Sequence, residues 1–183
     1  MVVQRYVRAL SAAERLPDAL VVLRELTGRS GDRPDLLVAV AELLRDEGAL
    51  EEARQLLAAA VAQHPSHLAL WQQLAALEKR AQDTAAEAQI LRSILTRFKP
   101  QRWTGFAIPE LVRLGLVEEM QSELNAWREA EPANVAPWWA AFRAAKEMTN
   151  YPLALELLGK IEARRGSQPE VHSARAKLLE EGW

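Results

Sequence analysis

Cysteine is absent from the 183-residue sequence. Disulfide bonds, thiolate nucleophiles and cysteine-ligated zinc sites are therefore excluded. A strong charge of either sign is also lacking, because 23 basic and 25 acidic side chains give a formal net charge of −2. The whole molecule thus exerts no general attraction on nucleic acids or anionic membranes. The longest apolar run, residues 56–62, is far too short to cross a membrane.

The motifs that mark common active sites are missing as well. There is no glycine-rich phosphate loop, no His-Glu-x-x-His motif and no hydrolase-like order of Ser, His and Asp. His64 and His67 flank a proline in a turn with no carboxylate in register, which predicts loop histidines rather than a metal site. Glu51-Glu52 and Glu118-Glu119 recur where second helices begin, as the helix dipole favours. We expect neither an enzyme nor a bound metal or cofactor.

The dominant positive feature is a repeat of about 34 residues along the chain. Residues expected on the packed face of each second helix recur at intervals of 34, 35, 32 and 34: Ala19, Ala53, Ala88, Met120 and Ala154. The residues that close the units recur at intervals of 35, 32 and 34: Pro65, Pro100, Pro132 and Gly166. A period near 34 indicates stacked helix pairs that form a solenoid.

The repeat predicts an all-α fold without strands, in a single domain over residues 1–183. The expected repeats cover residues 1–33, 34–67, 68–100, 101–134 and 135–168. Residues 169–183 read as one closing helix, which would cover the apolar end of the stack. In the second repeat the apolar stripe of the first helix has helical spacing, with Leu37, Val40, Ala41 and Leu44.

The fourth repeat departs from this pattern. Gly105 and Pro109 interrupt its first helix, and a proline in a helix interior removes a hydrogen bond and clashes with the preceding turn. We expect residues 101–108 to be irregular and the helix to begin at Pro109. The gap would be filled by the large apolar residues nearby, which are Trp103, Phe106 and Ile108.

The spacing and the packing residues resemble the tetratricopeptide repeat family. The matching residues of the second repeat are Leu37, Val40-Ala41, Leu44, Gly48, Ala53, Leu57, Ala60 and Pro65. The third repeat matches with one extra residue in its turn, through Trp71, Leu74-Ala75, Ala88, Leu95 and Pro100. The resemblance implies a right-handed α-solenoid of stacked antiparallel helix pairs. It also implies a protein-binding scaffold rather than an enzyme.

Two other interpretations remain open at this stage. Trp71 with Glu78 looks somewhat like the half-a-tetratricopeptide repeat of RNA-processing scaffolds. The chain is alternatively a segment of a larger bacterial enzyme or of a machine for polysaccharide biosynthesis or export. The Ala-, Leu- and Arg-rich composition favours a bacterial-type protein. No signal-peptide pattern follows Met1, so we expect a cytoplasmic location, or a periplasmic one if the chain is a fragment.

The resemblance also suggests where a partner binds. In the family the concave face is lined by first-helix residues one turn apart, and here those stripes are mostly basic. Trp71, Trp127 and Trp138 occupy packing positions, whereas Trp103, Trp139 and Trp183 fall outside them. The candidate partner-binding residues are Arg8, Arg45, Lys79, Arg80, Arg102, Arg113, Trp139, Arg143 and Lys146. A basic groove on an acidic chain predicts a protein or peptide partner that carries carboxylates, and not a nucleic acid or a membrane.

Overall fold

The computed structural model describes residues 33–166 and 168–181. Within these ranges it contains ten helices and no strand, which confirms the all-α solenoid class. The chain divides into two compact units between Ile90 and Leu91. The first predicted repeat, with Arg8 and Ala19, lies outside the described residues. The helices are α1 (Pro34–Asp46), α2 (Leu50–Gln63), α3 (Leu68–Arg80), α4 (Thr84–Arg97), α5 (Pro100–Trp103), α6 (Ala107–Arg113), α7 (Val117–Ala130), α8 (Ala136–Glu147), α9 (Tyr151–Arg165) and α10 (Pro169–Glu181).

In the first unit, α1, α2 and α3 pack against one another. Helix α1 begins at Pro34, where the missing N–H is harmless because the first turn has no intrahelical acceptor for it. The predicted stripe is confirmed, since Leu37, Val40, Ala41 and Leu44 are all buried. Helix α2 carries Glu51-Glu52 in its first turn, at the positive end of the helix dipole. Its buried face consists of Ala53, Leu57, Ala60 and Val61.

Four turns that join a first helix to a second helix share one backbone conformation. Each places one residue in the left-handed region, with φ between 53° and 80°: Gly48, Gln82, Gly115 and Thr149. In the first of these turns, the N–H of Gly48 donates to the carbonyl of Arg45 (3.1 Å) and that of Ala49 to the carbonyl of Leu44 (2.8 Å). The other three turns repeat this pair of bonds. The arrangement is a Schellman motif, which satisfies the last carbonyls of the first helix.

These turns correct the sequence-based alignment of the third repeat. Five residues after each left-handed residue lie Ala53, Glu87, Met120 and Ala154, and all four are at most 2% exposed. Ala88, which the alignment placed on this face, is partly exposed, and the turn before it contains no extra residue. The sequence-based alignment was wrong because it assumed a small apolar residue at the buried position, which in this repeat is occupied by Glu87.

The fourth repeat replaces one long helix with two short ones. The expectation that residues 101–108 are irregular is wrong in part, because residues 101–103 belong to α5 and only residues 104–106 lie between α5 and α6. Helix α6 begins at Ala107 rather than at Pro109. Pro109 is the third residue of α6, where its missing N–H removes no intrahelical bond. The proline is therefore compatible with the start of this helix.

Trp103 anchors this repeat in the core. Its side chain is fully buried, and its Nε1 donates a hydrogen bond of 3.1 Å to the carbonyl of Phe98. Helix α5 packs against α7 and α8. Ile108 is also buried and Phe106 is half-buried, in agreement with their expected role as filling residues. The assignment of Trp103 to a position outside the packing core is wrong, because α5 turns the indole inward.

The predicted closing helix is present as α10, which packs on α9. Val171 and Leu178 form its buried side, with 0% and 2% of their surface exposed. Arg175 Nη2 lies 2.9 Å from Glu162 Oε2 of α9 and adds a partly buried ion pair. Among the described helices, none combines the length and the apolar character that a membrane span requires.

Candidate functional site

The predicted partner-binding residues are spread over both units. Arg8 is outside the described part of the chain. Those of the first unit are Arg45, Lys79 and Arg80, and those of the second are Arg102, Arg113, Trp139, Arg143 and Lys146. The environment of each group differs, and in the second unit Trp139 and Lys146 line one cavity.

In the first unit, the basic stripe is neutralised by neighbouring acids. Arg45 Nη1 donates to Gln73 Oε1 (3.2 Å), and Arg45 Nε donates to Asp46 Oδ1 (3.2 Å). Gln73 Nε2 in turn donates to Glu42 Oε1 at 2.9 Å, and Arg80 Nη1 lies 3.7 Å from the same Asp46 oxygen. Two carboxylates thus accompany two guanidinium groups. This network is close to charge-balanced, and Asp46 is the residue that the sequence reasoning did not include.

Three candidate arginines of the second unit lie apart from Trp139. The guanidinium carbon of Arg102 is 5.0 Å from the ring centre of Phe98, and Arg113 Nε is 2.9 Å from Glu110 Oε2. Arg143 is exposed on α8. None of the three lines the cavity that Trp139 lines. Lys79 of the first unit is likewise exposed, near the end of α3.

A groove with an aromatic wall lies between α8 and α10. It has a volume of about 530 Å³ and is called the C-terminal groove below. Its lining residues are Trp139, Phe142, Lys146, Pro169, Glu170, Ser173, Ala174 and Lys177. Two of the predicted residues, Trp139 and Lys146, therefore meet here, together with α10 residues that the sequence reasoning had assigned only to capping.

The aromatic wall of the C-terminal groove is held in a defined geometry. The rings of Trp139 and Phe142 are 5.5 Å apart at 87°, the edge-to-face arrangement that aromatic quadrupoles favour. Phe142 is buried, whereas Trp139 keeps part of its surface exposed. Lys146 and Lys177 add two positive charges against the single carboxylate of Glu170. The groove can therefore bury an apolar side chain and hold an anionic group beside it.

The neighbouring residue, Trp138, has a different environment. Three cations face its ring, with distances to the ring centre of 3.9 Å for Arg164, 4.9 Å for Arg128 and 5.8 Å for Lys160. We call Trp138 and these three residues the cation cluster. The expectation that Trp138 is a core residue is confirmed only in part, since its Nε1 is buried but its side chain is half-buried. Trp71 and Trp127 are buried as predicted.

Electrostatics within the cation cluster are unfavourable. Partial burial lowers the pKa of Arg128 from its ordinary value, and the positive charge of Arg164 lowers it further. The indole Nε1 of Trp138 is buried and has no acceptor among the described residues. A sequence signal for the cluster existed, because Lys160 and Arg164 are four residues apart on α9 and so share a face. The placement of Arg128 beside them required the packing of α7 against α8.

The sequence matches one family model over part of its length, residues 10–78, described as tetratricopeptide repeat. No curated protein matches the sequence. Among solved structures, a tetratricopeptide repeat protein from Parabacteroides merdae ATCC 43184 is similar, with 14% identity and a TM-score of 0.58. The similarity covers 97% of this chain and 71% of that one.

A second similar structure is that of Naa15/Naa10 bound to HypK-THB, with 15% identity and a TM-score of 0.58. This similarity covers 98% of the present chain and only 28% of the matched chain. At these identities the two structures show the fold alone. The repeat match over residues 10–78 agrees with that fold and with the repeated helix-pair turns at Gly48, Gln82, Gly115 and Thr149. The chain thus resembles tetratricopeptide repeat proteins, in sequence over residues 10–78 and in fold over the described residues.

Proposed function

We propose that this protein is an interaction scaffold that binds a peptide segment of a protein partner in the C-terminal groove. Tetratricopeptide proteins are in general non-enzymatic interaction scaffolds, and the site within the scaffold is the new element here. The observation that carries the proposal is the pairing of an aromatic wall, Trp139 and Phe142, with two lysines in one open groove. Aromatic anchors with adjacent cations are typical of interface sites that carry much of the binding energy.

The charge of the groove indicates the chemistry of the partner. Lys146 and Lys177 outnumber Glu170, so an acidic segment gains and a basic one is repelled. The first unit offers no comparable excess, because Arg45 and Arg80 share Asp46. An acidic peptide with one aromatic or aliphatic side chain would place that side chain against Trp139 and its carboxylates near the lysines. Among proteins of this fold, Naa15/Naa10 was solved bound to HypK-THB, a complex between proteins.

A selection from a random peptide library, followed by affinity measurements on variants, tests this proposal. Peptides enriched on the protein should be acidic with one large apolar residue. Trp139→Ala combined with Lys177→Glu should weaken the selected peptide by more than about tenfold, because the apolar contact is lost and the charge reversed. Arg165→Glu, an equal charge reversal at an exposed site outside the groove, should leave the affinity unchanged.

The melting temperature of each variant separates loss of binding from loss of folding. Unchanged affinity of the Trp139/Lys177 double variant, at an unchanged melting temperature, would contradict the groove as the binding site. Enrichment of basic peptides would contradict the charge argument.

A further inference from the structure

We propose that the cation cluster around Trp138, with the cavity beside it, is a second binding site for an acidic peptide segment. It is distinct from the C-terminal groove and does not depend on it. Trp138 and Trp139 are consecutive residues of α8, about 100° apart around the helix. The indole of Trp138 faces Arg128 of α7 and Arg164 of α9. The indole of Trp139 lines the C-terminal groove, opposite α10. A single helix thus presents two aromatic surfaces to two different neighbours.

Within the described residues, no carboxylate accepts a hydrogen bond from either arginine of the cation cluster. Arg164 Nη1 donates to the carbonyl of Lys160 at 2.9 Å, and Arg128 Nη2 donates to Asn125 Oδ1. Lys160 is paired with Glu156, one turn earlier on α9. The cluster therefore holds three positive charges around one ring, with two carboxylates, Glu129 and Glu156, at its edges.

The charge of Arg128 lies in an unfavourable environment within this cluster. Partial burial and repulsion from Arg164 lower the pKa of the Arg128 guanidinium, and the opposite effect of Glu129 is smaller. Contacts with the Trp138 ring offset part of that cost. A bound carboxylate would restore the missing counter-charge and accept hydrogen bonds from both guanidinium groups. A cluster of positive charges that repel one another without a ligand, and that a bound anion would neutralise, is what we expect of a binding site.

A cavity next to the cluster supplies an apolar subsite. Its volume is about 230 Å³, which suits a single aliphatic side chain. Leu124, Ala141, Leu153 and Leu157 contribute apolar walls, and Gln121, Asn125 and Arg128 contribute polar ones. Because Arg128 also lies over Trp138, a side chain in the cavity would bring its flanking residues to the cations. The geometry fits an aliphatic residue with acidic neighbours.

The surroundings favour a short peptide over an extended polyanion. Glu129 follows Arg128 on α7, and Glu156 lies beside Lys160 on α9, so the positive patch ends within a few residues. A nucleic acid would carry its phosphates past these carboxylates and be repelled by them. A peptide of about five residues can place its charges on the patch alone.

The test uses a fluorescein-labelled, acetylated pentapeptide, Glu-Asp-Leu-Asp-Glu, which is titrated with the full-length protein chain in a fluorescence polarisation assay. Arg128→Val with Arg164→Ala should weaken binding by at least about tenfold, since two charge-assisted contacts are lost. Valine is the residue that the second repeat carries at the equivalent position, Val61, so the fold should tolerate it. Arg165→Ala, the adjacent exposed arginine outside the cluster, is the matched control and should leave affinity within about twofold.

Further measurements distinguish a peptide from other ligands of this site, and this site from the C-terminal groove. Replacing leucine by serine in the peptide should weaken binding several-fold, and equal affinity would overturn the role of the cavity. Tighter binding of an oligouridylate or of inorganic phosphate than of the peptide would overturn the choice of a peptide ligand. If Trp139→Ala removes binding of the pentapeptide while Arg128→Val/Arg164→Ala does not, the peptide occupies the C-terminal groove and the second site is refuted.

Discussion

Trp71 and Trp138 hold the same position in two repeats, each six residues after the proline that closes the preceding unit, Pro65 or Pro132. Trp71 is 9% exposed, and its Nε1 donates a 3.0 Å hydrogen bond to the carbonyl of Pro65. Trp138 is half-buried under three cations, and its Nε1 finds no acceptor in the described part of the chain. The tryptophan of the third repeat is buried and hydrogen-bonded, whereas that of the fifth is half-buried and contacts cations.

One position on the preceding helix explains much of this difference. Eight residues after the buried Ala53, α2 carries Val61, which is buried. Eight residues after the buried Met120, α7 carries Arg128, whose guanidinium lies over Trp138. A branched apolar side chain supports close packing, while a guanidinium group brings charge and holds the indole by its face. The repeat framework therefore tolerates a change from an apolar to a charged side chain at this position.

The largest expected effect contrasts the two tryptophans directly. Trp71→Ala should destabilise the protein by about 3–5 kcal/mol, because it removes a buried indole and leaves a cavity. Trp138→Ala should cost about 2 kcal/mol, because a half-buried indole loses less apolar burial and its cation–π contacts add about 1 kcal/mol. Urea unfolding of the two variants provides the measurement. Equal losses would mean that Trp138 is a core residue after all.

An exchange at the equivalent position of the preceding helix sharpens the comparison. Val61→Arg should destabilise by about 2–3 kcal/mol, because it forces a charge into an apolar position. Arg128→Val should leave stability unchanged or raise it by up to about 1 kcal/mol, since it removes a desolvated charge that Arg164 repels. Chemical denaturation of both variants tests this. A strong loss for Arg128→Val would show that the cation cluster stabilises the fold.

The turns of the two regions differ in a similar way. Thr149 adopts a left-handed conformation with φ of 53°, which a β-branched residue disfavours, whereas Gly48 adopts it freely at φ of 80°. Thr149→Gly should stabilise by about 0.5–1 kcal/mol, after the greater entropy of glycine in the unfolded chain is included. Gly48→Ala should destabilise by about 1 kcal/mol. Calorimetric melting temperatures that moved in the opposite directions would contradict the shared turn geometry.

The smallest expected effect concerns salt. Raising sodium chloride from about 0.05 to about 0.5 M should screen the repulsion between Arg128 and Arg164 and stabilise the protein slightly, by about 0.5 kcal/mol. The stabilisation by salt should be smaller in Arg128→Val, because this variant lacks the repulsive pair. Denaturation of the two proteins at both salt concentrations measures the difference. An identical salt response would indicate that the cluster charges are already screened by water.

The fold was predictable because packing positions repeat in the sequence. Leu37, Val40 and Leu57 follow helical spacing, and their burial follows from it. Glu87 was missed because a buried glutamate breaks the expected pattern of residue types. Trp103 was missed because the fourth repeat is shorter, so its tryptophan comes three residues after Pro100 rather than six.

The candidate site was predictable only where its residues share one helix. Trp139 and Lys146 both belong to α8, and the C-terminal groove contains both. The contribution of α10 through Lys177 depends on how α10 packs, which spacing does not encode. Likewise, Asp46 neutralises Arg45 and Arg80 through the packing of α1 on α3. Charge counts along a stripe omit acids that lie beside it.

The contrast between Trp71 and Trp138 can be measured most directly at the indole N–H groups themselves. In a proton–nitrogen correlation spectrum each tryptophan gives a separate indole signal, which single Trp→Phe variants would assign. Upon addition of the Glu-Asp-Leu-Asp-Glu peptide, the signal of Trp138 should shift, while those of Trp71 and Trp103, both bonded to backbone carbonyls, should stay in place. An unmoved Trp138 signal at peptide saturation would contradict the conclusion that the fifth repeat uses its tryptophan for recognition.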